Sequence, residues 1–312
     1  MSKENTFIIP VLRDDLYQRC LETLYANTPP NFYVYLIDQT LMGIDPNLRD
    51  KYPDLMIIRT PRTETHKHGN LGFAKATNTG IKLVQTPYFT MCNDDIEFIH
   101  EKWWEAVMDT FRTVEGQTPE RPAMIVNPSS TKLPDWSIGL PAGQHLDIVP
   151  YKEKYTDKDW RWLVEEPHYV NEHLTLQPNS VIDGVTLYCS VAHTERFRDV
   201  SLIDERYYPG GAEDYDLCCR ASMKGYRLVG TTKSWVYHHW SSTFNNEELK
   251  KTVDDELRFG DQYKIWGEGF DIWGMACKLC GTRMRTGDNK VAYCPQHPQE
   301  MVDIPAPLTQ TL

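Results

Sequence analysis

The sequence predicts an α/β protein, one large domain built on a sheet with helices packed against it, followed by a small cysteine-containing module at the C-terminus. Three observations carry this. Short apolar runs that end on polar residues alternate with stretches of helical periodicity from Thr6 onward. Acidic clusters fall where such stretches end or begin, at Asn93-Asp94-Asp95 and at Glu213-Asp214-Tyr215-Asp216. A chain of 312 residues is long enough to bury a large core and still carry an appendage.

Thr6 to Leu12 is an apolar strand, and the polar Arg13-Asp14-Asp15 stops it. Leu16, Cys20 and Leu24 share one face of a helix that must end by Pro29-Pro30. Phe32 to Ile37 is a second strand ending at Asp38, so strand, helix and strand follow in order and favour a parallel sheet with a nucleotide-sized crevice at its edge. At that strand end Asp38 is placed to accept from a base or a ribose, although a terminal acid is also simply well solvated there. A third strand, Leu55 to Arg59, leads into a basic loop with Arg62, His66, Lys67 and His68. Phe73, Ala76, Thr77, Gly80, Ile81 and Val84 then fall at helical spacing behind a Gly69-Asn70-Leu71-Gly72 loop. A helix N-terminus behind such a loop is a natural anion site, and the same loop also reads as a plain turn.

Tyr88 to Met91 is a short buried strand that runs into Asn93-Asp94-Asp95. Paired acids at the carboxyl end of a strand are suited to a hard cation and, through it, to phosphate oxygens. The alternative is an acidic loop that caps the helix of Trp103, Trp104, Val107, Met108, Phe111 and Val114, whose tryptophans are expected in the core. Ala123 to Val126 is another strand. Periodicity loosens between Ser129 and Ser180, where a second substrate would be chosen or the chain makes a surface excursion. Val185 to Cys189 reads as a strand, and a helix with Leu217, Cys218 and Ala221 on its buried face runs to Gly225. Glu213, Asp214 and Asp216 lie in its first turn, where negative charge is favoured by about 0.3–1 kcal/mol even without function. Tyr226 to Val229 and Ser234 to Tyr237 are strands, the second ending in His238-His239, and Asn245 or Asn246 caps a helix carrying Leu249, Val253 and Leu257.

The net charge of −11 argues against broad electrostatic attachment to nucleic acid or anionic membrane. The sequence holds no apolar run long enough to span a bilayer, and its first residues lack a basic and apolar leader, so the cytoplasm is the expected compartment. Cys20, Cys92, Cys189, Cys218 and Cys219 sit in apolar surroundings and are expected as reduced, buried small residues.

Taken together, Asn70-Leu71-Gly72-Phe73-Ala74 with Asn78, then Asn93-Asp94-Asp95, then Gly211 to Cys218 running on through Gly225-Tyr226 to Val236-Tyr237-His238-His239, resemble the inverting, sugar-nucleotide-dependent glycosyltransferases of family 2. The resemblance extends from about Thr6 to Ser242. It implies the GT-A fold, a mixed sheet flanked by helices, over residues 1–244, with 129–180 as a variable acceptor-side region and 245–273 as a helical extension. It implies a nucleotide-sugar donor, taken as UDP-linked, a Mn2+ or Mg2+ ion, and a hydroxyl acceptor. By the same resemblance Asp95 is a metal ligand, His238 contacts the metal or the diphosphate, with a core or surface histidine as the alternative, and Asp94 faces ribose or sugar hydroxyls. Asp38 meets the nucleobase, while Pro10, Asn70, Gly72, Lys75 and Asn93 line the donor side. Asp214 is the general base, with Glu213 beside it. Asn93 replaces the first acid of the family's usual run.

The tail, residues 274–312, carries Cys277 and Cys280, then Cys294 and His297, as C-x2-C and C-x2-H pairs around a hairpin-length spacer. Two such pairs are what a closed, structural tetrahedral Zn2+ site requires, and the alternative is two unmetallated turns. Lys278, Arg283, Arg285 and Lys290 make this zinc-ribbon-like tail locally basic. The acceptor expected is a glycan or lipid-linked sugar. Alternatives are a hydroxymethylated base in DNA, as for bacteriophage glycosyltransferases acting in an infected cell, and a non-catalytic nucleotide-sugar-binding or interaction protein.

Overall fold

The computed structural model describes residues 2–13, 16–62, 69–132, 137–139, 145–147, 185–205, 207–210, 213–239, 285–286, 291–293 and 302–303. Strand β1 (Asn5–Val11) lies at the centre of a mixed sheet because both of its faces are apolar. Phe7, Ile9 and Val11 enter one core cluster, and Ile8 enters the other. A strand buried on both faces is the mark of a parallel sheet covered on two sides. Beside it run β2 (Phe32–Asp38) and then β3 (Leu55–Arg59) on one flank, and β4 (Tyr88–Cys92) on the other, all parallel. The order continues through β9 (Cys189–His193), antiparallel to both β4 and β6 (Ala123–Lys132), to β10 (Arg227–His238) and finally β5 (Ile96–Phe98). Strands β7 (Ser137–Gly139) and β8 (His145–Asp147) extend β6 as an antiparallel meander.

Helices cover both faces. On one side α1 (Tyr17–Asn27) and α4 (Trp103–Gln117) bring Cys20, Leu21, Leu24, Trp103, Val107 and Phe111 onto the sheet. Trp103 is core, as expected, with its indole N–H donating to Thr28 Oγ1 at 2.9 Å. The short α2 (Leu48–Lys51) lies between β2 and β3 in the chain. On the other side pack α3 (Phe73–Ile81), α5 (Thr194–Val200) and α6 (Glu213–Met223), with Ala74, Ile81, Phe197, Val200, Leu217 and Ala221 buried.

The local expectations are met for β1 to β4 and for helices α1, α3, α4 and α6, and three are corrected. The strand expected over 185–189 begins only at Cys189, since Val185 to Tyr188 makes a turn ahead of it in which Tyr188 O accepts the Asn93 N–H, and α5, which follows directly, carries no long apolar stripe to announce it. The two strands expected over 226–237 are one strand, β10, whose pairing with β6 shifts register between Thr231 and Trp235, so the polar Thr231-Thr232-Lys233 is an irregularity within a strand. The acidic stretch after β4 turns directly into β5, which pairs with β10. A second, three-stranded sheet comprises β11 (Arg285–Thr286), β12 (Val291–Tyr293) and β13 (Val302–Asp303). The expected helix after Asn245, the basic segment 63–68 and Cys277, Cys280, Cys294 and His297 lie outside the described residues.

Gly80 shows how tightly α3 sits on β1. A Cβ at this position would lie 2.5 Å from Ile8 Cγ2 and 3.0 Å from its Cγ1. Gly80→Ala should therefore destabilise the protein by about 1–3 kcal/mol, the usual cost of overpacking a core, despite the better helix propensity of alanine. Urea unfolding of the single variant, of Ile8→Ala and of the double variant checks the cause. Relief of the clash requires that Gly80→Ala cost clearly less in the Ile8→Ala background.

Candidate active site

The site forms where β1 and β4 part. Their pairing runs from Asn5 opposite Tyr88 to Ile8 opposite Met91, whereas β1 stays with β2 as far as Val11 opposite Asp38. Pro10, which has no N–H to give, lies beyond the β4 ladder, where none is needed. Sequence order also reverses at this point, β2 and β3 leaving on one side and β4 on the other, which is the topological switch point at which open α/β sheets bind ligands. Across the opening the Leu12 N–H donates to Asp94 Oδ2 at 3.4 Å.

On the β4 side Asp94 and Asp95 are both buried, while Asn93 is half-buried with its N–H donating to Tyr188 O at 2.8 Å. His238 ends β10, and its Nε2 lies 3.2 Å from Asp95 Oδ1 with both side chains only 8% exposed. The Asp95 carbonyl accepts from the His239 N–H at 3.1 Å, which fixes the acidic turn to the end of β10. The neighbouring pair, His239 Nε2 with Glu97 Oε1 at 2.9 Å, is braced by Arg19 Nε donating to Glu97 Oε2 at 3.0 Å. The His239 bond, outweighing burial, holds the Glu97 carboxyl below its usual value, with Arg19 assisting. Thus two residues 143 positions apart, Asp95 and His238, are brought together.

The carboxylate oxygen suits Mg2+ or Mn2+, and the imidazole nitrogen beside it favours the softer Mn2+ over Mg2+, which prefers an all-oxygen shell. Among the described residues no three His, Cys, Asp or Glu side chains form a ready-made metal cage. Few protein ligands nevertheless fit the group, because such an ion is commonly held by one or two carboxylates with substrate phosphates and water completing the shell, and Asp95 supplies one.

The β2 side is organised by Asp38, 2% exposed. Its Oδ1 accepts from the Thr40 N–H at 3.0 Å and the Thr40 hydroxyl at 2.7 Å. Its Oδ2 accepts from the Ile44 N–H at 3.1 Å and from Arg59 Nη1 at 2.6 Å. Burial pushes this carboxyl up, but Arg59, Thr40 and Ile44 together more than reverse it, and it lies below its usual value. The carboxylate thus shapes the 38–44 loop, a role the sequence did not reveal. Arg59 is the residue sequence reasoning missed here, and its signal is its position at the end of β3, level with Asp38 across the pairing.

The loop before α3 does not offer the open run of backbone N–H groups expected for an anion. Leu71 N–H donates to Gln39 Oε1 at 2.8 Å, Gly72 N–H to Asn70 Oδ1 at 2.9 Å, and Phe73 N–H to Pro209 O at 2.8 Å. Gly72, at φ 74°, is required for a second reason, since a Cβ would stand 2.8 Å from the Tyr208 ring and 2.9 Å from Pro209 O. These contacts join the start of α3 to the 207–210 segment, which leads to the start of α6. Lys75, in the first turn of α3, is half-buried. Asn78, counted with this block in the sequence, is a clamp. Its Nδ2 donates to Ile203 O at 2.8 Å and its Oδ1 accepts from the Ile203 N–H at 3.1 Å.

At the start of α6 the acids divide. Glu213 is buried and Asp214 half-buried. Asp216 pairs with Arg220 one turn on, at 2.8 Å, while Arg220 Nη1 also donates to Val200 O at 3.3 Å. Elsewhere Cys20, Cys92, Cys189 and Cys218 are buried free thiols, as expected, and burial pushes the Cys92 thiol well up. No helix among the described residues is long and apolar enough to cross a membrane.

Comparisons with known proteins agree with this architecture. The family described as Glycosyl transferase family 2 matches residues 6–141. Among solved structures, GalNAc-T7 with UDP, GalNAc and Mn2+ aligns at a TM-score of 0.51 and 12% identity, covering 77% of this chain and 44% of that one. That likeness is one of fold, the α/β fold expected above. A mannosyltransferase, PcManGT from Pyrobaculum calidifontis, in complex with GDP-Man and Mn2+, aligns at 0.49 and 12% identity, covering 76% of this chain and 57% of that one. S. aureus TarS aligns at 0.48 and 14%, with 85% and 42% covered. The chain spans about half the length of these structures. No curated protein matches the sequence.

A carboxyl held below its ordinary value of 3.8 stabilises the fold above that pH and loses its contribution as the pH falls through the folded value. Asp38→Asn leaves fewer acceptors for Arg59, Thr40 and Ile44, so it should cost about 2 kcal/mol at pH 7. The deficit should be smaller at about pH 3, below that ordinary value, because the unfolded carboxyl protonates there before the folded one. Urea unfolding at the two pH values measures this, and an equal deficit at both would show that the charge adds nothing.

Proposed function

We propose that the chain is a metal-dependent, inverting glycosyltransferase that moves a sugar from a nucleoside diphosphate, taken as UDP, to an acceptor hydroxyl. The observation that carries the reading is the buried Asp95–His238 pair, 3.2 Å apart beside Asp94 at the opening between β1 and β4. The family match over residues 6–141 and the fold shared with GalNAc-T7 support a glycosyltransferase.

In this reading Asp95 and His238 would hold Mn2+ or Mg2+, which would supply positive charge to offset that of the leaving diphosphate. Asp94, tied to Leu12 across the opening, faces the ribose or the sugar hydroxyls. The loop shaped by Asp38 borders the base, and Pro10, Asn70, Gly72, Lys75 and Asn93 line the donor. Asp214, more open than Glu213, takes the proton from the acceptor hydroxyl as its oxygen bonds to the anomeric carbon and the bond to phosphate oxygen breaks. Attack opposite the leaving group inverts that carbon. The acceptor-side segment 129–180 lies largely outside the described residues, so the acceptor is defined only as a hydroxyl compound.

Thermal stability with UDP, GDP or dTDP tests the donor. Nucleotide at about 100 times its Kd should stabilise by about 2.7 kcal/mol. A Mn2+-dependent rise in midpoint with one nucleotide, lost in Asp95→Asn, is expected. Asp214→Asn should keep this shift while lowering transfer by about 100-fold or more, the scale of a lost general base. No shift with any nucleotide would favour a non-catalytic interaction protein.

The proposal extends to a structural Zn2+ in the tail, supported by the ligand spacing and by the β11–β12 pair, which falls between Cys277-Cys280 and Cys294-His297 in the chain. Purified protein should contain about one zinc per chain, the requirement of a single Cys3His set. Elemental analysis of wild type and of Cys280→Ser with Cys294→Ser checks it, and equal zinc in both would overturn it.

A further inference from the structure

We propose that Tyr188 is a positioning residue that holds the His238 ring in the orientation required for metal ligation. The inference rests on the reading of Asp95 and His238 as the metal pair. Tyr188 lies immediately before β9, 3% exposed, and its ring stacks on the His238 imidazole with centroids 5.4 Å apart and planes 27° from parallel. Its hydroxyl donates to Pro128 O on β6 at 2.6 Å, so the ring is fixed at its far end as well as at its backbone. Its own carbonyl accepts from the Asn93 N–H at 2.8 Å, and the next residue, Cys189, pairs with Cys92. One residue therefore touches β6, the acidic turn and the last residue of β10.

The geometry suits this task. A nitrogen ligand offers its lone pair in the plane of the imidazole, whereas Tyr188 contacts the face. Stacking can fix the plane without competing for Nε2, which stands 3.2 Å from Asp95 Oδ1. The 185–188 segment is itself pinned. Asn127 Nδ2 donates to Thr186 O at 2.7 Å, the Ser190 hydroxyl donates to the same carbonyl at 3.3 Å, and Val185 N–H reaches Cys218 Sγ on α6 at 3.3 Å. The segment thus connects the metal pair to the helix that carries Asp214. Supports of this kind, one step behind a metal ligand, commonly change affinity by about 10–100-fold when removed.

The test uses the full-length protein with UDP and Mn2+, reading free Mn2+ by electron paramagnetic resonance and the nitrogen coupling of bound Mn2+ by electron spin echo modulation. Tyr188→Leu, which removes the stacking ring, should weaken Mn2+ binding about tenfold or more. It should also diminish the imidazole nitrogen coupling. Tyr188→Phe keeps the ring and should retain both within about threefold, as a conservative rescue. Tyr188→Met serves in place of the leucine variant should that one fail to fold. Wild-type affinity and nitrogen coupling in a folded Leu or Met variant would overturn the positioning role. A wild-type protein whose bound Mn2+ shows no nitrogen coupling, and whose affinity is unchanged by His238→Ala, would instead overturn the reading of His238 as a ligand.

Discussion

The site depends on β1 and β4 ceasing to pair after Ile8 and Met91 while β1 and β2 continue together for three more residues. Two parallel strands that separate at their carboxyl ends leave backbone groups and the following side chains without sheet partners, and buried polar groups must then be satisfied some other way. Here the Leu12 N–H turns to Asp94, so the opening is bridged by a carboxylate. On the other side the chain leaving β2 is folded around Asp38, whose two oxygens accept from Thr40, Ile44 and Arg59. Both sides of the opening thus carry acids at or just past strand ends, and the cost of burying them is offset by hydrogen bonds rather than by exposure.

From this opening the rest of the site is reached through the antiparallel half of the sheet. With β9 between β4 and β6, the segment before it, Val185 to Tyr188, meets the chain leaving β4 at Asn93. The segment then supports Asn93 with a carbonyl and His238 with a ring. The return of β10 to pair with β5, only one residue past Asp95, delivers His238 to the acid from the far end of the domain. Contacts made by Pro209 with Gly72 and Phe73 do the same for the helices, tying the start of α3 to the approach to α6.

Much of this was legible in the sequence because period and punctuation agreed. The β1, β2, β3 and β4 runs are short, apolar and ended by polar residues, and Trp103 to Phe111 shows a clear helical stripe. What escaped was decided by pairing between distant segments. Thr231-Thr232-Lys233 looks like a break until β6 is seen to accommodate a register shift there. Arg59 reads as a strand-ending charge until Asp38 is found opposite it. Tyr188 looks like one more strand aromatic, since nothing local announces that its ring meets a histidine fifty residues later. The Asn70 to Phe73 loop reads in sequence as either an anion site or a plain turn, and sequence does not show that Gln39, Asn70 and Pro209 take the N–H groups of Leu71, Gly72 and Phe73.

The crowding of acids at the start of α6 acquires a physical reason in the same way. A helix N-terminus stabilises negative charge, which explains one acid but gives three no separate tasks. The structure separates them. Asp216 is neutralised one turn along by Arg220, which in turn donates to Val200 at the end of α5, so that acid holds two helices together. Glu213 is buried beside Gly210, in the segment that leads from α5 to α6 and packs against the start of α3, and its placement ties it to that junction. Asp214 is left as the more open of the adjacent pair. A proton acceptor for an incoming hydroxyl must meet a substrate that enters from solvent, and it must not be consumed by an ion pair within the fold. Asp216 is committed to Arg220 and Glu213 is the more buried of the adjacent pair, so the base proposed from the resemblance, Asp214, is the more accessible of the two acids that open the helix.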